Sequence, residues 1–276
     1  MDLIKLILFI NYKFAKNKFF NYLSQNLKSS YLIILLLSSS FIFSQDIITD
    51  RPDQTESPNT LNKGALQIES GYLSLKDREN KKSKTRNLAP TNLFRYGLTN
   101  IIELRLLAQF ENQESDQTKI SGISDIELGV KLKILKNENI NNEISFLSTI
   151  IIPSASNDLS LNSFGISNRM IFSHTLSSKT GLGYNLGYDY LGSGKGNLTY
   201  TLAIGTSLTE KLGFFMEPFG EIIDLNNFIL NFDSGFTYLL KENFQLDCSY
   251  GIGINNKMNF FSLGISWLIK KNKENQ

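Results

Sequence analysis

The chain has 276 residues and a net charge of +2, which gives no bulk attraction to nucleic acid or to an acidic substrate. It contains one cysteine, Cys248, and one histidine, His174. These counts exclude an internal disulfide framework, a cysteine metal cluster and a zinc site built on paired histidines. No nucleic-acid-binding motif is found in the sequence.

Residues 1–44 are predicted to be a leader that ends in a signal peptide. The apolar run Tyr31–Phe43 follows Lys28 and has 13 residues, whereas a membrane-spanning helix needs about 18 or more. Cleavage is expected near Ser44. An uncleaved amphipathic anchor is the alternative, and the true translation start within residues 1–30 is left open.

Residues 45–63 are predicted to form a polar N-terminal segment of the mature chain. Its charged residues are Asp50, Arg51, Asp53 and Glu56. Pro52 and Pro58 make it a poor strand, because proline cannot donate to a ladder of hydrogen bonds. We hypothesise that the segment is a periplasmic plug, with Arg51 against carboxylates inside a barrel. A flexible leader to the first strand is the alternative.

From residue 64 to residue 270 the chain alternates between apolar and polar residues, with the period of two that is typical of strands. Most of these segments have about 9–13 residues, and a tilted strand needs about 9–11 to cross a bilayer. We expect strands at 64–75, 89–97, 101–111, 124–135, 143–152, 163–176, 180–190, 197–208, 211–223, 229–240, 243–255 and 260–270. The pattern predicts an all-β fold, a transmembrane antiparallel up-and-down β-barrel of about 12 strands.

The connections between these segments alternate in length, at least in the first half of the chain. Lys76–Asn87 and Asn112–Ile123 are long, whereas Leu98–Asn100 and Ser177–Lys179 are short. Outer-membrane barrels have long external loops and tight periplasmic turns. The alternation therefore predicts that the long connections are external.

The polar phase of the strands combines charged residues with many glycines, including Gly181, Gly183 and Gly251. A dry protein core would not leave such glycine rows unfilled, but a hydrated lumen can. The apolar phase carries large residues that lipid solvates. We therefore expect a barrel whose faces are inverted relative to those of a soluble barrel, with outer-membrane lipid outside and water inside. A soluble all-β fold is the alternative.

The last predicted strand places Phe261, Leu263, Ile265 and Trp267 on one face. Such an aromatic-rich closing strand is typical of chains that the barrel insertion machinery recognises. Residues 271–276 extend past it and are predicted to be a polar tail.

Several motifs resemble one family over essentially the whole mature chain. They are ITDRPDQTESP at Ile48, GALQIESGY at Gly64, PTNLFRYGLTNIIELRL at Pro90, GISDIELGVKLKIL at Gly122, SHTLSSKTGLGYNLGYDY at Ser173 and LTYTLAIGTSLTEKLGFFMEPFGE at Leu198. The sequence resembles the outer-membrane transporters of the phenol-degradation MetA-pathway type. The resemblance implies a β-barrel that passes small molecules, with aromatic compounds as one option.

Charged residues in the polar phase are the candidates for a solute pathway. They are Glu69, Arg95, Glu103, Arg105, Asp125, Glu127, Lys131, Arg169, Asp189, Glu217, Glu221 and Asp247. Inside a lumen they would create a transverse field that selects solutes. The alternative for each of them is an ion pair that braces or blocks the barrel.

The sequence favours passage of small solutes, with no catalytic residue, metal or cofactor assigned. An outer-membrane enzyme acting on lipid is an alternative that would need His174 as its base. A closed structural barrel is the other alternative. The GSGKGN motif at Gly192 lacks the spacing of a phosphate-binding loop and is expected to connect two strands.

Overall fold

The computed structural model describes residues 47–79, 82–115, 118–137, 142–156 and 158–270. The predicted leader and signal peptide at 1–44 and the polar tail at 271–276 lie outside the described residues. In the ranges given above, no helix is both long enough and apolar enough to cross a membrane.

The described part of the chain contains thirteen strands, and all neighbouring strands are antiparallel. In chain order they are β1 (Leu66–Glu79), β2 (Lys82–Gly97), β3 (Ile102–Ser115), β4 (Lys119–Ile123), β5 (Ile126–Asn137), β6 (Asn142–Ile152), β7 (Gly165–Thr175), β8 (Thr180–Tyr190), β9 (Asn197–Ser207), β10 (Leu212–Ile223), β11 (Asn227–Lys241), β12 (Phe244–Gly253) and β13 (Asn259–Ile269).

The sheet closes on itself, because β1 pairs with β13 as well as with β2. Strands β4 and β5 both pair with β3 and together occupy one position in the ring. The ring therefore has twelve positions, which confirms the predicted up-and-down barrel. Closure gives the strands of the ring a partner on both sides, as a lipid environment requires, and among the described strands only the short β4 has a single partner, β3.

Two connections predicted as loops are instead hairpins that extend the strands. In the range 76–87, β1 and β2 stay paired as far as Glu79 and Lys82. In the range 112–123, β3 continues to Ser115 and pairs with β4. Polar residues in these two ranges pair across strands just as apolar residues do. The high charge of a stretch therefore did not show where a strand ends.

The two faces of the barrel differ as the alternation predicted. Many large apolar side chains on the outer face are more than a third exposed, among them Val130, Ile204 and Trp267. Their neighbours on the inner face include Lys131 and Ser266, both completely buried. An exposed apolar band around a polar interior is the arrangement of a barrel surrounded by lipid.

Three of the short turns share one hydrogen-bonding pattern, which explains the loose repeat GLTN, LSSK and LTEK in the sequence. In the first, the Thr99 hydroxyl oxygen accepts the backbone N–H of Ile102 at 3.0 Å. Ser177 and Thr209 do the same for the residues three positions later, at 3.1 and 2.9 Å. Such a hydroxyl closes a tight turn, so these turns form a compact rim.

Residues 47–63, here called the luminal segment, begin and end at this short-turn rim. The N–H of Ile47 donates to the carbonyl of Glu242 at 3.1 Å, in the turn between β11 and β12. The Thr60 hydroxyl donates to the carbonyl of Asn100 at 2.9 Å, in the turn between β2 and β3. Between these anchors the segment contacts inner-face residues of the barrel wall.

Candidate solute pathway

The carboxylate of Asp50 is the centre of a buried charge cluster in the lumen. Its oxygens lie 3.2 Å from Arg95 Nη1, 2.5 Å from Arg105 Nη1 and 3.0 Å from Lys131 Nζ. Burial alone would raise the pKa of Asp50, but the three cations outweigh it and hold the pKa well below its usual range. Asp50 is therefore a fixed anion that ties the luminal segment to β2, β3 and β5.

Two wall carboxylates complete the pairing of Arg95, which is itself fully buried. Its guanidinium lies 2.9 Å from Glu69 Oε1 and 2.9 Å from Glu103 Oε1. Glu69 also accepts the backbone N–H of Asp50 at 3.1 Å, and Glu103 accepts that of Leu61 at 3.0 Å. The wall residues thus bind both the charges and the backbone of the luminal segment.

Glu56 extends the cluster toward the opposite wall. Its carboxylate lies 2.9 Å from Arg105 Nη2 and 3.3 Å from Lys131 Nζ. Arg169 on β7 approaches it only to 3.8 Å and makes an equally long contact with Asp189 on β8. The side chain of Arg169 is 31% exposed. The cluster is therefore tightly paired around Asp50 and accessible to water at Arg169.

Arg51 attaches the luminal segment to the other side of the barrel. Its Nη2 lies 3.0 Å from Asp247 Oδ1 on β12 and donates to the Ser262 hydroxyl on β13 at 2.8 Å. Arg51 thus pairs with a carboxylate of the barrel wall, and a role of the segment as a plug stays a prediction.

Glu217 on β10 binds the middle of the luminal segment. Its carboxylate accepts the backbone N–H of Gln54 at 2.6 Å and the Thr55 hydroxyl at 2.5 Å. Burial first, and then the charges of Glu217 and Asp233, raise the pKa of Asp53 well above its usual range. Asp53 therefore stays protonated to a higher pH than an ordinary aspartate.

Asp233 on β11 belongs to this acidic group but was not among the predicted site residues. It is completely buried, and neither carboxylate oxygen has a hydrogen-bond partner among the described residues. It lies on the polar phase of its strand, beside Glu217 on β10. The same alternation that selected Glu217 could have found it.

An open cavity of about 280 Å³ lies beside the luminal segment. Its charged lining residues are Glu56, Arg105, Glu127, Arg169 and Asp189. Asp189 accepts the Ser167 hydroxyl at 2.6 Å. The cavity therefore brings Glu127, Arg169 and Asp189 together with Arg105 and Glu56 of the buried cluster.

Two predicted pathway residues lie apart from both the cluster and the cavity. Asp125, in the break between β4 and β5, accepts the backbone N–H groups of Ser154, Ala155 and Leu161 at 2.7–2.9 Å. It thus holds the connection between β6 and β7. Glu221 on β10 accepts the side-chain amide of Asn197 at 2.8 Å.

His174 lies on the outer phase of β7, stacked on Tyr184 with ring centroids 5.5 Å apart. Its Nδ1 is 2.6 Å from Asn142 Oδ1, and its Nε2 is 3.3 Å from the Tyr184 hydroxyl. The neighbouring hydroxyl residue, Ser173, belongs to the opposite face of the strand. Across the described ranges, no group of three or more His, Cys, Asp or Glu side chains could hold a metal ion.

A closed barrel with an apolar outer face, a charged lumen and a folded-in N-terminal segment defines a class of membrane β-barrel. A sequence profile of the family described as "Putative MetA-pathway of phenol degradation" matches residues 49–269. The chain belongs to this family, which confirms the resemblance seen in the motifs.

Solved structures show the same fold. The chain is similar to an outer membrane channel from Pseudomonas putida F1, with a TM-score of 0.62, 16% identity, and coverage of 76% of this chain and 97% of that one. It is also similar to the KdgM porin solved in complex with disordered oligogalacturonate, with a TM-score of 0.50, 10% identity, and coverage of 73% and 98%. No curated protein matches the sequence significantly.

Proposed function

We propose that this protein is a channel of the Gram-negative outer membrane through which small solutes, aromatic compounds among them, diffuse without ATP or a cofactor. The observation that carries the proposal is the open cavity of about 280 Å³ inside a closed barrel. Membership of the family and the fold shared with the Pseudomonas putida channel support it.

The luminal segment would set the width of the pathway. It contacts β2, β3 and β5 through Asp50 and β12 through Arg51, and so occupies the lumen between them. The cavity reaches β7 and β8, where Arg169 and Asp189 are only loosely paired. Solutes would pass on this side and be selected by size and by the field of the charges.

Delivery to the outer membrane belongs to the same proposal. Residues 1–44 would direct export and be removed near Ser44, and the closing strand β13 would be recognised by the barrel insertion machinery. The exposed apolar band would then be covered by lipid. N-terminal sequencing of the protein purified from outer membranes would test the cleavage site.

Reconstitution into liposomes tests the channel directly. We expect the liposomes to swell in neutral solutes of low mass and to stop swelling as solute size increases, because the cavity is narrow. Planar bilayers should show discrete conductance steps. Liposomes that contain correctly folded barrel and do not swell in the smallest solute would refute the channel.

A closed structural barrel is the second candidate, and the density of contacts between the luminal segment and the wall favours it. The two candidates differ in one measurement, since a closed barrel gives neither swelling nor conductance. Removing residues 47–59 would then create a conductance where none existed, whereas in a channel it would enlarge an existing one.

A further inference from the structure

The hairpins β1–β2 and β3–β4 continue beyond the apolar band of the outer face. Tyr72 on β1, Phe110 on β3 and Ile123 on β4 mark the edge of that band, and each is more than a third exposed. From Tyr72 to Arg78, β1 continues for six residues, which is about 20 Å along a strand. The two hairpins therefore extend the outer wall past the band that lipid chains would cover.

The strand register fixes which side chains of the β1–β2 hairpin face outward. Ser74 on β1 is the direct partner of Phe261 on β13, and Phe261 is 42% exposed on the outer face. Direct partners share a face of the sheet, and so do residues two positions apart on one strand. Lys76 and Arg78 therefore lie on the outer phase as well.

The same register brings a third cation to this surface from β4. Lys76 is the partner of Thr85 on β2, and Thr85 is the partner of Glu114 on β3. Glu114 is in turn the partner of Lys119 on β4. Lys119 thus shares the outer phase with Lys76, and Glu114 is the carboxylate between them.

A row of uncharged polar side chains separates these charges from the apolar band. Its members are partners in neighbouring strands, and they are Ser74, Asn87, Asn112 and Ser121. Asn87 accepts the Tyr72 hydroxyl at 3.2 Å, and Asn112 accepts the hydroxyl of Ser121. The outer face thus changes from apolar groups to hydroxyls and amides and then to cations. A phosphorylated lipid presents its hydrocarbon, its polar linkage and its phosphate in the same order.

The outer-phase cations differ from the inner-phase arginine of the same hairpin in having no partner. On the inner phase, Arg86 lies 2.7 Å from Glu111. By contrast, Lys76, Arg78 and Lys119 are exposed, and their side chains make no ion pair or hydrogen bond within the part of the chain that the structure describes. The fold therefore leaves these three cations available to a ligand from outside the barrel.

We propose that Lys76, Arg78 and Lys119 bind the phosphate groups of a phosphorylated lipid in the outer leaflet of the membrane. Lysine and arginine donate charge-assisted hydrogen bonds to phosphate. The surface has three cations and one anion, Glu114, so its formal charge is +2. Because it is continuous with the apolar band, an anion anchored in hydrocarbon fits it better than a soluble anion does. This inference rests on the proposed function for the position of the barrel in the outer membrane.

Native mass spectrometry of the whole protein, released from detergent micelles, counts the lipids that stay bound. The probe is diphosphoryl lipid A, which carries two phosphates on a glucosamine backbone, and the comparison is the same lipid without its phosphates. EDTA is present so that divalent cations do not bridge carboxylates to phosphates. We expect the phosphorylated lipid to bind at least about tenfold more tightly, because each basic residue near an anionic lipid surface contributes about fivefold.

The combined variant Lys76→Gln, Arg78→Gln and Lys119→Gln should lose this preference for the phosphorylated lipid. Glu114→Gln should strengthen it, because the only anion of the surface is removed. Both effects should shrink at high salt, since exposed charges are screened. Circular dichroism verifies that each variant keeps its barrel.

The matched control removes three positive charges from the opposite rim. Lys179, Lys211 and Lys241 are exposed at the short turns, and their combined substitution by glutamine should leave the preference unchanged. Equal binding of the two lipids to the unmodified protein would overturn the proposal. So would a combined hairpin variant that keeps the preference, or a control variant that loses it to the same extent.

Swelling of liposomes that contain no lipid A separates this surface from the channel. If the liposomes swell but the two lipids bind equally, the lipid surface is refuted and the channel stands. If the phosphorylated lipid is preferred as expected but the liposomes do not swell, the surface is supported and the channel fails.

Discussion

Gly71 on β1 and Gly264 on β13 are direct partners across the seam that closes the barrel, and one guanidinium group covers both of them. A Cβ atom added at Gly71 would lie 2.6 Å from Arg51 Cζ, and one added at Gly264 would collide with the same group. The paired glycines therefore leave the space in which Arg51 reaches Asp247.

Gly264→Ala should displace Arg51 and weaken the attachment of the luminal segment. We expect larger and noisier single-channel conductance in planar bilayers, with little change in the thermal stability of the barrel. Gly205→Ala is the control, since no atom lies within 4 Å of the added Cβ. In an Arg51→Ala background, Gly264→Ala should have almost no further effect. An additional effect there would show that the glycine acts by another route.

Asp50→Asn should be the most damaging single change in the luminal segment. It removes the anion shared by Arg95, Arg105 and Lys131, and unpairing a buried ion pair costs about 3–5 kcal/mol. Reversible denaturation in detergent would measure the loss. Asp189→Asn, which removes a contact of 3.8 Å to a partly exposed arginine, should cost less than about 1 kcal/mol.

Deletion of residues 47–59 should change ion selectivity as well as conductance. The deleted stretch carries three acidic residues and one arginine, a net charge of −2. Its removal leaves Arg95, Arg105 and Lys131 facing only Glu69 and Glu103 in the former cluster. Conductance should rise, and the reversal potential in a salt gradient should shift toward anion selectivity. A larger conductance with unchanged selectivity would mean that these cations do not line the opened pathway.

Seating of the luminal segment should depend on pH through Asp53. Its pKa is raised in the folded protein, so the seated state binds a proton that the released state gives up more easily. This contribution is complete below the ordinary aspartate pKa of about 3.9 and is lost as the pH rises through the raised value. We expect opening events to become more frequent as the pH rises above about 4.

Asp53→Asn should flatten this pH dependence, which single-channel recordings would show. The pH dependence that Asp50 contributes has the opposite sign. Its lowered pKa stabilises the seated segment, and this stability is lost only as the pH falls below the ordinary aspartate pKa, which is below the pH range in which Asp53 acts. A titration that persists in Asp53→Asn would place the responsible group elsewhere, with Asp233 and Glu217 as the next candidates.

Much of the barrel could be predicted because alternation is a local property of a strand. Lys131 and Val130 are adjacent, and the period of two alone assigns one to the lumen and the other to lipid. The ends of the strands were less predictable. The hairpin of β1 and β2, for example, continues through a highly charged stretch. The backbone groups of paired polar residues form the same hydrogen bonds between strands as those of apolar residues.

The candidate site was predicted as a set of inward-facing charges, without their partners. Asp125 and Glu127 are two positions apart on the same phase. The break between β4 and β5 turns Asp125 to the backbone of a loop, whereas Glu127 stays in the cavity wall. Local sequence does not show where a strand is interrupted, so it could not separate these two roles.

The sequence by itself determined the strand alternation, the closed all-β class and the phase on which each charge lies. Only the tertiary structure decided which charges meet. Asp50 contacts Lys131 across 81 positions of the chain, and Arg51 contacts Asp247 across 196. Such pairs depend on the register of every strand between them and on the path of the luminal segment through the closed ring, and no local pattern encodes either.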